Sequence, residues 1–175
     1  MWAGETLTRW TVRLALILYA TTVALRLAAP QHRRAARATW TVGCALFLTH
    51  VAAAFHFAHG WSHAHAYTET ARQTRDLFGL EWGGGLYFNY FLTLAWAADA
   101  TYWWAAGLDA YERRPRWVEV TLHTFFAFMA INGAIVFASG ATRWVAVAIT
   151  VGLALIVLTR LVRLRERRGG PFVRD

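Results

Sequence analysis

The chain has 175 residues, of which 57% are hydrophobic and 16% charged, with a formal net charge of +8. Soluble domains carry roughly 25% charged residues, so the composition argues against a water-solvated globular class and for a membrane protein. The arginines cluster in short segments between apolar runs. That pattern excludes a nucleic-acid partner and marks the cytoplasmic side of a bilayer. Cys44 is the single cysteine, so an intramolecular disulfide is impossible and a thiolate metal site is not expected.

Five apolar segments approach the ~20 residues that cross a bilayer core. The first covers 7–29, with Arg9 and Arg13 near its start, placed to snorkel toward the interface. The apolar run after Arg13 resembles a short secretory signal. Arg26 and Pro30 fit no cleavage point, so the segment is expected to stay as an anchor. A connection with Arg33, Arg34 and Arg37 leads to the second span, 39–59. No proline interrupts 39–75, so this second helix can continue beyond the outer face, with Gly60 as its weak point. The next connection balances Arg72 and Arg75 against Glu69, Asp76 and Glu81.

The third span is 86–107, and Arg113, Arg114 and Arg116 fill the short link to the fourth, 117–138. A tight turn at 139–143 precedes the fifth span, 144–161, and a basic tail, 162–175. Trp10, Trp40, Trp82, Trp117 and Trp144 fall at span ends, where aromatic belts sit. The expected fold is an all-α integral membrane protein, one domain over 1–175, built as a bundle of five transmembrane helices. Arginine placement puts the N-terminus outside and the C-terminus in the cytoplasm of a bacterial inner membrane. The expected partners are the lipid bilayer and other membrane subunits or further copies of the chain.

Histidine supplies the chemistry. His50, His56, His59, His63 and His65 lie between Thr49 and Thr74 as the second span leaves the membrane. On one continuous helix, an advance of ~100° per residue places His56, His59 and His63 within about 60° of arc. Imidazole suits copper, iron or zinc, and histidine beside hydrocarbon points to function. The expected metal ligands are His56, His59 and His63, completed by His65 or Glu81 and oriented by Asn89 and Tyr90 at the start of the third span. The spacing matches neither the zinc-protease nor the di-iron signature.

A second, inner group comprises Asp99, Glu119 and His123. Glu119 and His123 are four residues apart on the fourth span and share a face. The short link makes the third and fourth spans antiparallel neighbours, so Asp99 can reach them. This group reads as a proton relay or carboxylate–imidazole metal site, or as a structural interhelical hydrogen bond. The fifth span has no ionisable residue between Arg143 and Arg160 and reads as scaffold.

The leading functional expectation is a transition-metal protein for redox chemistry or metal handling, within a larger membrane complex. The expectation covers two cases, a metal-dependent membrane oxidoreductase and one subunit of such an enzyme. The first alternative is a haem b-binding, quinone-linked electron-transfer subunit, with His50 and His123 as axial ligands. The second is a non-catalytic accessory subunit whose histidines only hydrogen-bond. A proton or ion carrier using His50, Asp99, Glu119 and His123 ranks below these.

Overall fold

A computed structural model describes residues 2–133 and 141–168. The described residues form six helices and no strand: α1 Trp2–Ala28, α2 Arg33–Phe57, α3 His63–Phe78, α4 Gly85–Glu112, α5 Arg116–Ile131 and α6 Ala141–Arg168. Ala3–Ala28 and Arg33–Phe57 are long and apolar enough to cross a membrane, and Ala146–Arg160 is a shorter apolar helix. Large apolar side chains stand exposed on the outside of the bundle, among them Leu14 and Ile17 on α1, Leu94 on α4, Val120 on α5 and Leu155 on α6. Water solvates such an exterior poorly.

The helices form because their apolar runs are uninterrupted by proline and rich in alanine and leucine, which lose little freedom in a helix. α1 and α2 pack tightly as an antiparallel pair, and the hydroxyls of Thr22 and Thr39 meet at 2.8 Å across their contact. α4 lies against α2. The core between them is aromatic: Tyr19, Trp40, Phe47, Trp96 and Phe126 are all nearly or fully buried. Trp40 and Trp96 approach to 5.2 Å between centroids, and the Trp96 indole donates to the Trp40 carbonyl at 3.2 Å. Such ring pairs add tilted and edge contacts to the burial of their large area.

The expected course of the second helix is corrected. The second helix does not run on past the outer face: α2 ends at Phe57, and Gly60 (φ 55) and Trp61 (φ 60) turn the chain. A separate helix, α3, then starts where the Ser62 hydroxyl accepts from the His65 amide at 3.2 Å. The 60–85 connection thus contains an amphipathic helix, three of whose buried residues are Ala66, Ala71 and Thr74. Gly83 lets the return segment of this connection pass close to α3, because a Cβ there would collide with the Tyr67 carbonyl oxygen.

Helix bounds differ from the expected spans elsewhere too. α4 continues to Glu112, with a break at Gly107 (φ 80, ψ 174), and α6 continues to Arg168, so half of the expected tail is helical. α5 is a helix over Arg116–Ile131; the rest of the fourth span from 134, the first two residues of the expected turn at 139–143 and the tail from 169 lie outside the described residues, and residues 141–143 of that turn already belong to α6.

Candidate functional site

The Gly107 break builds the inner site. It redirects residues 108–112 so that the Tyr111 ring stacks on Trp103, 3.9 Å between centroids and parallel within 1°. The Tyr111 hydroxyl then donates to Asp99 Oδ2 at 2.7 Å. Just beyond, Pro115 caps α5 and the Arg114 side chain folds back into the bundle, only 5% exposed. Arg114 pairs with Asp99 through Nη1 and with Glu119 Oε2 through Nη2 at 2.6 Å. Arg26 of α1 pairs with Glu119 Oε1, and its Nη1 lies 3.3 Å from His123 Nε2. The Arg26 guanidinium also sits 5.4 Å from the centroids of Trp103 and Tyr111.

Asp99, Glu119 and His123 are therefore brought together, but through two arginines. Asp99 is 8% exposed and is joined to Glu119 by Arg114, while Glu119 touches His123 at 3.2 Å. Two arginines offset two carboxylates, which is how a protein tolerates charges away from water. From the sequence, Arg114 is expected only as part of a basic link and Arg26 only as a residue that fits no cleavage point. Arg26 falling inside an apolar run, and Asp99 needing a counter-charge, were the signals that could have found them.

This network opens onto a cleft of about 830 Å³ between α1, α5 and α6. Arg26, Glu119 and His123 lie at its inner end, and Trp10 and Arg13 at the other. Its walls are small or aliphatic: Ala20 and Val23 from α1, Ala127 and Ala130 from α5, Ala146, Leu153 and Ala154 from α6. α6, expected to be scaffold alone, thus supplies one wall of the cleft. At the inner end Arg160 Nη1 donates to the Leu27 carbonyl at 2.6 Å, tying α6 to the terminus of α1.

The outer histidines behave differently. With the helix broken at Gly60, the one-sided stripe no longer exists. Exposed His56 accepts at Nδ1 from the Trp61 indole at 3.3 Å. Exposed His63 shares a 2.9 Å hydrogen bond between Nδ1 and the Tyr90 hydroxyl. His59 faces His65 edge-on, 5.6 Å between ring centroids, and its Nδ1 is buried without a partner. Burial, and then the neighbouring His65, push the His59 imidazole below its ordinary pKa. Glu81 stands 3.9 Å from Arg75, and the Asn89 carbonyl accepts from Thr93 within α4. Among the described residues no three of His, Cys, Asp and Glu gather in a way that could hold a metal ion. The expected set of His56, His59, His63, His65 and Glu81 is thus spread over separate partners, because the stripe assumed one helix.

The proposed haem ligands are placed as follows. His50 Nδ1 lies 2.9 Å from the Thr8 carbonyl oxygen, between α2 and α1. From His50, ring contacts pass through Phe47 (5.9 Å), Trp96 (5.5 Å), Trp40 (5.2 Å) and on to His123 (5.7 Å). Packed rings join the two imidazoles where a haem between them would need a gap. No family model, curated protein or solved structure matches this chain.

Proposed function

We propose that this chain is a multi-pass membrane protein whose working site is the apolar cleft between α1, α5 and α6, and that it takes up an apolar-tailed ligand from the bilayer there. The observation that carries this reading is the joining of an 830 Å³ apolar cleft to the Arg26–Glu119–His123 group. Ligand sites combine mostly apolar walls with a few convergent polar groups, in volumes of roughly 300–1,000 Å³. Arginine placement supports five spans with the N-terminus outside, the C-terminus in the cytoplasm, and a bacterial inner membrane as the location. The exposed apolar exterior is available to lipid, to other membrane subunits or to further copies of the chain.

The test is the ligand content of protein purified in mild detergent. Wild type is expected to carry a co-purifying apolar molecule, detected by native mass spectrometry, that Ala127→Phe excludes by filling the cleft. Equal content in both proteins, with both folded and monodisperse, removes this reading.

A second reading keeps a transition metal at the outer face, reduced to the His59–His65 pair. It is favoured by the unpartnered, buried His59 Nδ1 beside a second imidazole. Two imidazoles are a short ligand set, so a further donor from a partner or solvent is required. Elemental analysis of wild type against His59→Ala decides it, with equal metal content counting against.

A further inference from the structure

Two arginines at the start of α2 are used differently from those of the inner network. Arg26, Arg33 and Arg114 each meet a carboxylate. Among the described residues, Arg34 and Arg37, one turn apart on α2, meet none. What holds Arg37 is a ring: its guanidinium carbon lies 3.8 Å from the centroid of Trp104 on α4. The Trp104 indole in turn donates to the Thr41 hydroxyl at 2.9 Å, one turn further along α2. The indole is thereby fixed between two helices, and with it the guanidinium. A contact through the face of a ring uses none of the five N–H donors of arginine, so the fork that recognises phosphate stays available.

Past the arginines the same face of α2 turns apolar. At ~100° per residue, Thr41, Ala45 and Leu48 continue the stripe of Arg34 and Arg37. Ala45 and Leu48 are exposed. From Arg37 to Leu48 is about 16 Å at helical rise, close to one leaflet of a hydrocarbon core ~30 Å thick. Each part of this surface narrows what covers it. Two cations without a carboxylate favour an anionic head. A zwitterionic head brings its own cation, and this spot offers that cation no partner. A free phosphate would leave the leaflet-deep apolar strip uncovered.

Resting on the membrane placement proposed above, and not on the cleft, we infer that this surface holds an anionic phospholipid of the arginine-rich cytoplasmic leaflet. Its phosphate sits on Arg37, which Trp104 positions, with Arg34 beside it, and one acyl chain lies along Thr41, Ala45 and Leu48.

The experiment is native mass spectrometry of the full chain in mild detergent, titrated with phosphatidylglycerol and phosphatidylcholine of identical chains. Wild type is expected to hold one phosphatidylglycerol about tenfold more tightly than phosphatidylcholine. Arg37→Gln is expected to weaken that adduct about fivefold and leave phosphatidylcholine unchanged. Trp104→Leu keeps every charge and removes the platform; a loss of about threefold is expected. Arg116→Gln removes a cation from the link before α5 and should change nothing. If it costs as much as Arg37→Gln, the lipid answers to general positive charge and the site is overturned. If glycerol phosphate in excess displaces the lipid, the site takes a free phosphate and the lipid assignment is overturned. Equal affinity for the two lipids in folded wild type overturns the inference and leaves the membrane placement standing. A chain that stays monodisperse without detergent or bilayer removes the membrane placement itself, and the inference with it. Ala127→Phe, which fills the cleft, should leave the phosphatidylglycerol adduct intact, so the two sites stand or fall separately.

Discussion

The two polar regions of this protein are built on opposite terms. At the inner end, Arg26, Asp99, Arg114, Glu119 and Tyr111 saturate one another, and Arg114 and Asp99 are almost wholly buried. At the outer turn, His56, His63 and the His59–His65 pair each answer to a different neighbour, and most of them face solvent. A network whose members share partners is fixed in place and fails as a unit. A set of separate contacts can lose one and keep the rest.

The sharpest way to break this contrast is Arg114→Met. It strips Asp99 of its buried counter-charge and Glu119 of one of two arginines, and is expected to cost about 3–5 kcal/mol. Thermal unfolding in detergent should show a large drop in midpoint, whereas His56→Ala should leave it unchanged. Next comes Tyr111→Phe, which removes the hydroxyl from Asp99 Oδ2 and keeps the stacking on Trp103; about 1–2 kcal/mol is expected. Tyr90→Phe is the matching change outside, removing the bond to exposed His63. It should cost about 0.5 kcal/mol, so a loss as large as that of Tyr111→Phe would erase the distinction.

The smallest expected effect is one of pH. The Arg72 guanidinium, bonded to Glu69 in two places, holds that carboxyl down at about 2 on α3. A carboxylate with a lowered folded pKa contributes stability that is present above its ordinary value near 4.5 and lost as pH falls toward 2. The pair is solvent-screened, so the contribution is slight. Hydrogen exchange in α3 should rise modestly across that window in wild type and stay flat in Glu69→Gln.

The contrast also explains which parts could be read from residues alone. Asp99, Glu119 and His123 could be brought together on paper because the four-residue spacing and the short 108–116 link constrain where they lie. Tyr111 and Arg114 could not, since they reach Asp99 only through the backbone break at Gly107 and the turn at Pro115. The outer stripe failed for a related reason. Counting 100° per residue across Gly60 assumes one helix, and a single Gly-Trp pair with positive φ cancels the register. Ser62 ahead of an amphipathic run was a readable start signal for α3, in the position that favours an N-cap.

Apolar run length and arginine placement by themselves determined that this chain is helical and suited to a membrane, because hydropathy and helix propensity are local properties of the residues. Which polar groups meet, and that α1, α5 and α6 enclose a cleft ending on Arg26, Glu119 and His123, was decided by the tertiary structure alone. Those features depend on how helices far apart in sequence are turned toward one another, and the backbone break at Gly107 brings Tyr111 to Asp99 beside the inner group.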